Sequence, residues 1–413
     1  MGSTSSYRFR LFGLIPFGTH TIHIVRFDPD GVSSREGNEH VPVWNHDIRL
    51  IEKDENHTQY TDRVEIHAGW KTAFIWLWAN AFYRHRQRKW IRLLRRKKRS
   101  TDEKYRTENT EGNGEEHSMK KKYTLSEDGF VGYWHPARGL EGRALIVFPG
   151  SGADYVLTWQ GSYFLEKAGW SRLLVGFADW DGLPTDPLLT PVEYAERALN
   201  VLKAEGFEHV GVYGISAGAK YAITAASLIP EIELVIAASP YDYTTEAFQG
   251  MKPLNQSTFS FRGEPLPFDP TVTLHRNLFS VLSRTAFSKK YGFKRMLRSC
   301  YDENVPSEEA RIKVENMHAD LLMQCPGYDD CWPSDEAVPR MRKILQDCGY
   351  PYRVQATVYE HGSHLLGGDL SRSPKYLKSM RNILLAEYRD QDACNQARAD
   401  SMKEILEFLE GWK

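Results

Sequence analysis

At 413 residues the chain has room for two domains and at least one sizeable hydrophobic core. Apolar residues at 41% and charged residues at 26% exclude a disordered, collagen-like or membrane-embedded class, and a formal net charge of −1 excludes strong global attraction to nucleic acid or anionic membranes. The five cysteines (Cys300, Cys325, Cys331, Cys348, Cys394) are odd in number and none stands at CxxC spacing, which argues against a disulfide framework or a structural zinc site and for a reduced, cytoplasmic setting.

From the N-terminus, Arg8 and Arg10 precede a short apolar stretch, but Pro16 interrupts it and no small-residue cleavage site follows, so no signal peptide is expected. Residues 1–98 then hold runs that alternate with period two, as half-buried strands do: Thr19–Asp28, His46–Asp54 and Gln59–Ala68. From Trp70 to about Arg96 neither Gly nor Pro occurs, which predicts one long helix over 70–99, aromatic at its start and heavily basic at its end. That helix either packs on the strands by its aromatics or gives peripheral contact with a membrane surface; near-zero net charge and the acidic segment after it disfavour nucleic acid. The longest apolar run, Ala73–Tyr83, falls well short of the roughly 18 residues needed to span a bilayer. Residues 99–120 are polar, carry Asn113-Gly114 and lack apolar periodicity, so they read as a flexible linker.

From residue 121 to 413 the pattern changes to alternating strands and helices. Arg143–Gly150 is a continuous apolar run ending in glycine, as strands buried on both faces read. Ser171–Ala178, His209–Gly214, Glu233–Ser239, Ala319–Cys325 and Tyr352–Glu360 are further strand candidates. Helices are expected at Pro191–Gly206, after Gly214, at Asp335–Asp347 and at the C-terminus. Such alternation implies a doubly wound, mostly parallel sheet. Residues 241–318 break it and are read as a cap inserted over the sheet's C-terminal edge. The cap's Phe259, Phe261, Leu278, Phe279 and Phe287 form either an apolar acyl pocket or simply the core of the cap.

Gly214-Ile215-Ser216-Ala217-Gly218 is a GxSxG element between an apolar strand and a run of small, helix-forming residues. That is the strand–turn–helix setting of a nucleophile elbow, and it points to the α/β-hydrolase fold with Ser216 as nucleophile. A serine needs a base oriented by a third group, and in this fold the order is serine, acid, histidine. His364, in the turn Gly362-Ser363-His364 just past the last strand, is favoured as base over His361. Asp329 and Asp330 both follow the preceding strand. Spacing from Gly327 favours Asp330, with Asp329 and Asp242 as alternatives. The oxyanion hole is expected from the N–H of Ala217 and from Ser151 or Gly152 in the loop Pro149–Gly152.

"ALIVFPGSG", "VGVYGISAGAKYA", "IKVENMHADLLMQCPGYDDCWPS" and "HGSHLL" together resemble the C-terminal catalytic domain of the bile acid-CoA:amino acid N-acyltransferase / acyl-CoA thioester hydrolase family over roughly residues 125–413. The resemblance implies Ser216 as nucleophile, Asp330 as acid and His364 as base. The family's amino-acid transferases use cysteine there, so serine places this chain beside the members that resemble thioesterases. Those relatives carry an N-terminal β-sandwich, which residues 1–98 do not match. "LFGLIPFGTHTIHI", "YTDRVEIHAG" and "FYRHRQRKW" instead resemble the C-terminal half of a helix-grip (START-like) lipid-binding domain. The expected activity is hydrolysis of an acyl thioester or carboxylic ester through an acyl-Ser216 intermediate, with no metal or organic cofactor. Transfer of the acyl group to an amine or alcohol, or a non-catalytic lipid-binding protein, are the alternatives.

Overall fold

A computed structural model of the chain describes residues 4–11, 15–28, 30–54, 57–72, 121–137, 139–140, 142–249, 252–270, 296–302 and 304–412, with isolated positions between 75 and 83 and at 294. The chain divides into two compact units, Met1–Glu115 and Glu116–Lys413.

The first unit is an antiparallel meander of five strands, β1 (Thr4–Leu11), β2 (Ile15–Asp28), β3 (Gly31–Gly37), β4 (Val43–Asp54) and β5 (His57–His67), paired in chain order. β2 and β5 alternate as read from the sequence, with Ile22, Ile24, Val64 and Ile66 half-covered and Thr21, His23, Arg63 and Glu65 exposed; β4 does not, being half-covered from Val43 to Ile48 and exposed from Arg49 to Lys53. β1 and β3 were not expected. β3 reads GVSSREG, without apolar periodicity, and is a strand because β2 and β4 satisfy its backbone on both sides. The covered face also carries polar side chains that satisfy one another: His46 Nδ1 lies 3.0 Å from Asp62 and its Nε2 2.8 Å from the Tyr83 hydroxyl. Of the helix expected over 70–99, a 3-10 turn at Gly69–Lys71 and scattered positions up to Tyr83 are described; its basic half and the 99–120 segment lie outside the described residues.

The second unit is built on an eight-stranded sheet: β6 (Lys121–Tyr123), β7 (Val131–His135), β8 (Arg143–Phe148), β9 (Ser171–Gly176), β11 (His209–Ile215), β12 (Leu234–Ala238), β17 (Asp320–Pro326) and β18 (Val354–Tyr359). β10 (Thr190–Pro191), β13 (Glu246–Gln249), β14 (Lys252–Ser257), β15 (Phe259–Phe261) and β16 (Glu264–Pro265) lie outside this sheet, in two smaller ones. The spatial order of the eight is β18-β17-β12-β11-β8-β9-β7-β6, and β7 runs antiparallel to both its neighbours, β6 and β9, while the other pairings are parallel. Counted from β6 the order is 1-2-4-3-5-6-7-8 with a reversed second strand, the topology of the α/β-hydrolase fold. The helices are α1 (Tyr155–Gly161), α2 (Tyr163–Lys167), α3 (Glu193–Ala204), α4 (Ala217–Leu228), α5 (Met296–Asp302), α6 (Ser334–Asp347), α7 (Pro374–Met380), α8 (Leu385–Arg389) and α9 (Gln391–Glu410).

The apolar run of β8 explains the layering. Ala144, Ile146 and Phe148 face one core with Leu199 of α3, Tyr221 of α4 and Met341 of α6. Leu145 and Val147 face the other with Trp159 of α1, Leu165 of α2 and Phe408 of α9. A strand covered on both faces has no polar alternation to show.

The 241–318 segment lies between β12 and β17 in chain order. Its described part holds the β13–β14 hairpin and the small β10-β15-β16 sheet, and Ile312 N–H donates to Asp242 C=O at 2.9 Å where the chain returns. Phe259 is fully buried edge-on to Tyr221 at 5.3 Å, so it belongs to the main core. Leu278, Phe279 and Phe287 lie outside the described residues.

One buried charge opposes this packing. Lys220, on α4, is enclosed by Phe259 and Trp332 and donates to Thr245 Oγ1 at 2.6 Å. Burial pushes its pKa down from 10.5 to about 7. Between those values the unfolded chain binds the extra proton, so the penalty on the folded state grows as pH falls from 10.5 to about 7. Lys220→Met is expected to stabilise the protein at pH 7 by on the order of 2–4 kcal/mol, with the gain fading towards pH 10. Thermal melts of the variant and the parent across that range check it; a variant less stable at pH 7 would contradict it.

Candidate active site

The site begins at the junction of β11 and α4. Ser216 joins them with φ 57° and ψ −120°, a left-handed conformation costly for a residue with a side chain. The turn closes this tightly only because its neighbours are small. A Cβ on Gly214 would lie 2.1 Å from Gly218 O, and one on Gly218 would lie 2.4 Å from Phe148 O. Ser216 N–H donates to Ala238 C=O at 2.9 Å, which ties the elbow to the end of β12.

His364 comes from the loop after β18 and is buried. Its Nε2 lies 2.7 Å from Ser216 Oγ across 148 residues of chain. Its Nδ1 lies 2.8 Å from Oδ2 and 3.0 Å from Oδ1 of Asp329, so the carboxylate that meets the imidazole is that of Asp329 and not of Asp330. His361, the rejected base, is exposed, and its carbonyl lies 3.7 Å from Cys394 Sγ.

Three aspartates competed in the sequence, and the structure gives each its own partner. Asp329 is fully buried, where a carboxylate requires hydrogen bonds. It accepts from Cys331 N–H at 2.8 Å and from Ser334 Oγ at 2.5 Å, besides facing the imidazole. Asp330 points the other way, and its Oδ2 accepts from Ala386 N–H at 2.9 Å in the first turn of α8. Asp242 forms a two-pronged pair with Arg340 of α6, at 2.6 and 2.9 Å. The expectation of Asp330 fails because the chain turns at Asp329 itself, whose side chain folds back onto the next amides. Acceptance of the second following N–H is a common use of aspartate in a turn, and a Ser five residues on was the available hint.

Electrostatics favour a charged imidazole. Burial alone lowers the His364 pKa, but the adjacent Asp329 charge, with Cys331 beside it and the hydrogen bonds to both, more than reverses this and raises it well above 6.5. Trp332 packs edge-on to the ring at 5.6 Å and donates its Nε1–H to Ser239 C=O at 2.9 Å, closing one side of the imidazole. This hydrogen-bonded tryptophan, like the buried Glu387 and Arg398 near the histidine loop, was not singled out in the sequence.

For the expected oxyanion donors, Ala217 opens α4, and the N–H groups of a first helical turn have no acceptor within the helix. Gly150–Ala153 forms a turn closed by Ala153 N–H on Gly150 C=O at 3.1 Å, with Gly152 at φ 69°. A Cβ on Gly150 would lie 3.8 Å from Ser216 Cβ, so the loop bearing Ser151 and Gly152 runs beside the serine. Among the described residues no group of three or more His, Cys, Asp or Glu is placed to hold a metal ion, and no helix is long and apolar enough to cross a membrane.

Residues 190–383 match the family described as BAAT / Acyl-CoA thioester hydrolase C terminal, an interval that contains Ser216, Asp329 and His364. Residues 4–95 match a domain of unknown function, DUF8410. A search of curated protein sequences returns no match. Among solved structures, the chain is similar to Est1E from Butyrivibrio proteoclasticus (13% identity, TM-score 0.34, 68% of this chain and 96% of that one). It is also similar to the acylaminoacyl peptidase of Pyrococcus horikoshii (14%, 0.40, 95% and 55%) and to a puromycin-hydrolyzing peptidase of Mycobacterium tuberculosis (12%, 0.39, 88% and 51%), spanning about half of each. The strand order and the elbow give the second unit an α/β-hydrolase fold, and within it residues 190–383 resemble the BAAT / acyl-CoA thioester hydrolase C-terminal family.

Proposed function

We propose that the second unit is a serine acyl hydrolase that cleaves an acyl thioester, of the acyl-CoA kind, or a carboxylic ester through an acyl-Ser216 intermediate. The observation that carries the reading is the chain of contacts Ser216 Oγ–His364 Nε2 at 2.7 Å and His364 Nδ1–Asp329 at 2.8 Å. A hydroxyl within hydrogen-bond reach of an imidazole, itself held by a buried carboxylate, meets the requirement for an activated nucleophile.

In the first half-reaction Ser216 Oγ attacks the acyl carbon while its proton passes to His364 Nε2. The carbonyl electron pair moves onto oxygen, held by the N–H of Ala217 and of Ser151 or Gly152. Collapse of this adduct breaks the bond to the leaving sulfur or oxygen, which takes the proton from His364. Water then attacks the acyl-Ser216 carbonyl, giving its proton to His364; the acid departs and the proton returns to Ser216 Oγ. Asp329 stabilises the imidazolium at each stage and keeps Nδ1 protonated. The five free cysteines support a reduced, cytoplasmic setting.

Stopped-flow kinetics with p-nitrophenyl esters and acyl-CoAs of matched chain length tests the reading. The expected result is a burst of leaving group near one per site, followed by a slower steady state, with carboxylic acid as the product. If product forms only when an amine or alcohol acceptor is added, the enzyme is an acyltransferase and hydrolysis is refuted.

A further inference from the structure

Outside the reacting residues, a buried charged pair, Glu387 and Arg398, lies against the loop of the base. Glu387 is fully buried and Arg398 nearly so; Arg398 Nη1 donates to Glu387 Oε1, and its Nη2 donates to Asn395 Oδ1 at 2.6 Å. Desolvation offsets most of the attraction within such a pair, so stability alone is a poor account of it. Its other contacts point elsewhere. Glu387 Oε1 accepts from Ser363 Oγ at 2.5 Å, and Ser363 immediately precedes His364. One position earlier on the same short helix, Ala386 N–H donates to Asp330 Oδ2 at 2.9 Å, and Asp330 immediately follows Asp329. Consecutive residues of α8 thus hold the neighbour of the base and the neighbour of the acid, on two loops 35 residues apart.

We propose that α8 is a positioning element that sets the separation of His364 and Asp329, gripping Ser363 through the Glu387 carboxylate and Asp330 through the Ala386 amide, with Arg398 neutralising the buried carboxylate. The proposal rests on the reading of Ser216, His364 and Asp329 as the reacting set. It accounts for a charged pair kept buried and for the divergence of two adjacent aspartates, one on the imidazole and one on the helix. Misplacing a catalytic group by about 1 Å costs roughly a hundredfold in rate, so a grip on the flanking residues matters even though they take no part in the bond changes.

The test compares Ser363→Ala with the double variant Glu387→Leu/Arg398→Met, which removes the acceptor without leaving a charge buried alone. Each is expected to lower kcat about 10–100-fold with KM within about twofold, and to slow fluorophosphonate labelling of Ser216 in parallel. Combining them is expected to add no further loss, because both break one contact. Glu387→Gln/Arg398→Met, which keeps an amide oxygen towards Ser363, is expected to recover most of the activity. Thermal melting of each variant shows that it is folded. Wild-type kcat and labelling in Ser363→Ala, a loss confined to KM, or losses that multiply would overturn the positioning role while leaving the active-site reading intact. A wild-type protein that is not labelled at Ser216 would overturn that reading and the proposal with it.

Discussion

Ser216→Ala is expected to lower kcat/KM by on the order of 10⁴–10⁶-fold while the protein folds as before. The loss is large because the hydroxyl is the only group that forms the acyl bond in the proposed route, and its hydrogen bond to His364 Nε2 is already made at 2.7 Å. Folding is spared because alanine pays the same left-handed backbone cost at φ 57° as serine does. Steady-state kinetics on a p-nitrophenyl ester, with a melt of the same sample, reads both. A variant retaining a tenth or more of the parent rate would remove Ser216 from the mechanism. In that case the geometry around the elbow would be an inactive vestige of the fold.

The second large effect separates two adjacent residues. Asp329→Asn is expected to cost about 10⁴-fold in kcat, since an amide at that place favours the wrong tautomer of the imidazole and leaves the developing imidazolium without a counter-charge. Asp330→Asn is expected to stay within about tenfold of the parent, because an amide oxygen can still accept the Ala386 N–H. The pH profile carries an independent signature. With the His364 pKa raised well above 6.5, the neutral base form accumulates as pH rises through that value, so kcat/KM of the parent climbs to a midpoint above 6.5. In Asp329→Asn burial, which lowers it, remains, while the largest attraction that raised it is gone and only that of Cys331 is left. The midpoint is then expected to move down. A midpoint that stays put in Asp329→Asn, or an Asp330→Asn variant as impaired as Asp329→Asn, would contradict the assignment.

The layered fold was legible because the central strands carry apolar runs without polar alternation, residues 144–148 in β8, 210–215 in β11 and all of β12, and punctuated helical sequence separates them. The elbow was legible because its sterics demand glycine: Gly214 and Gly218 pack against backbone oxygens that leave no space for a side chain. Other features were hidden for physical reasons. β3 and β6 are short or polar and exist through pairing, a long-range term that local alternation does not carry. The choice between Asp329 and Asp330 depends on where a turn folds back, and two adjacent carboxylates look alike until their partners are known. The Ser363–Glu387–Arg398 contact joins residues with no periodic relation, so no pattern in the sequence announces it.

The most direct measurement of the central claim is the site of covalent modification by a fluorophosphonate, located by peptide mass spectrometry in the full-length protein. One adduct per chain on the peptide bearing Ser216, with none formed in Ser216→Ala or at comparable rate in His364→Ala, is the expected result. An adduct on another residue, or an unmodified Ser216 in active enzyme, would contradict the account.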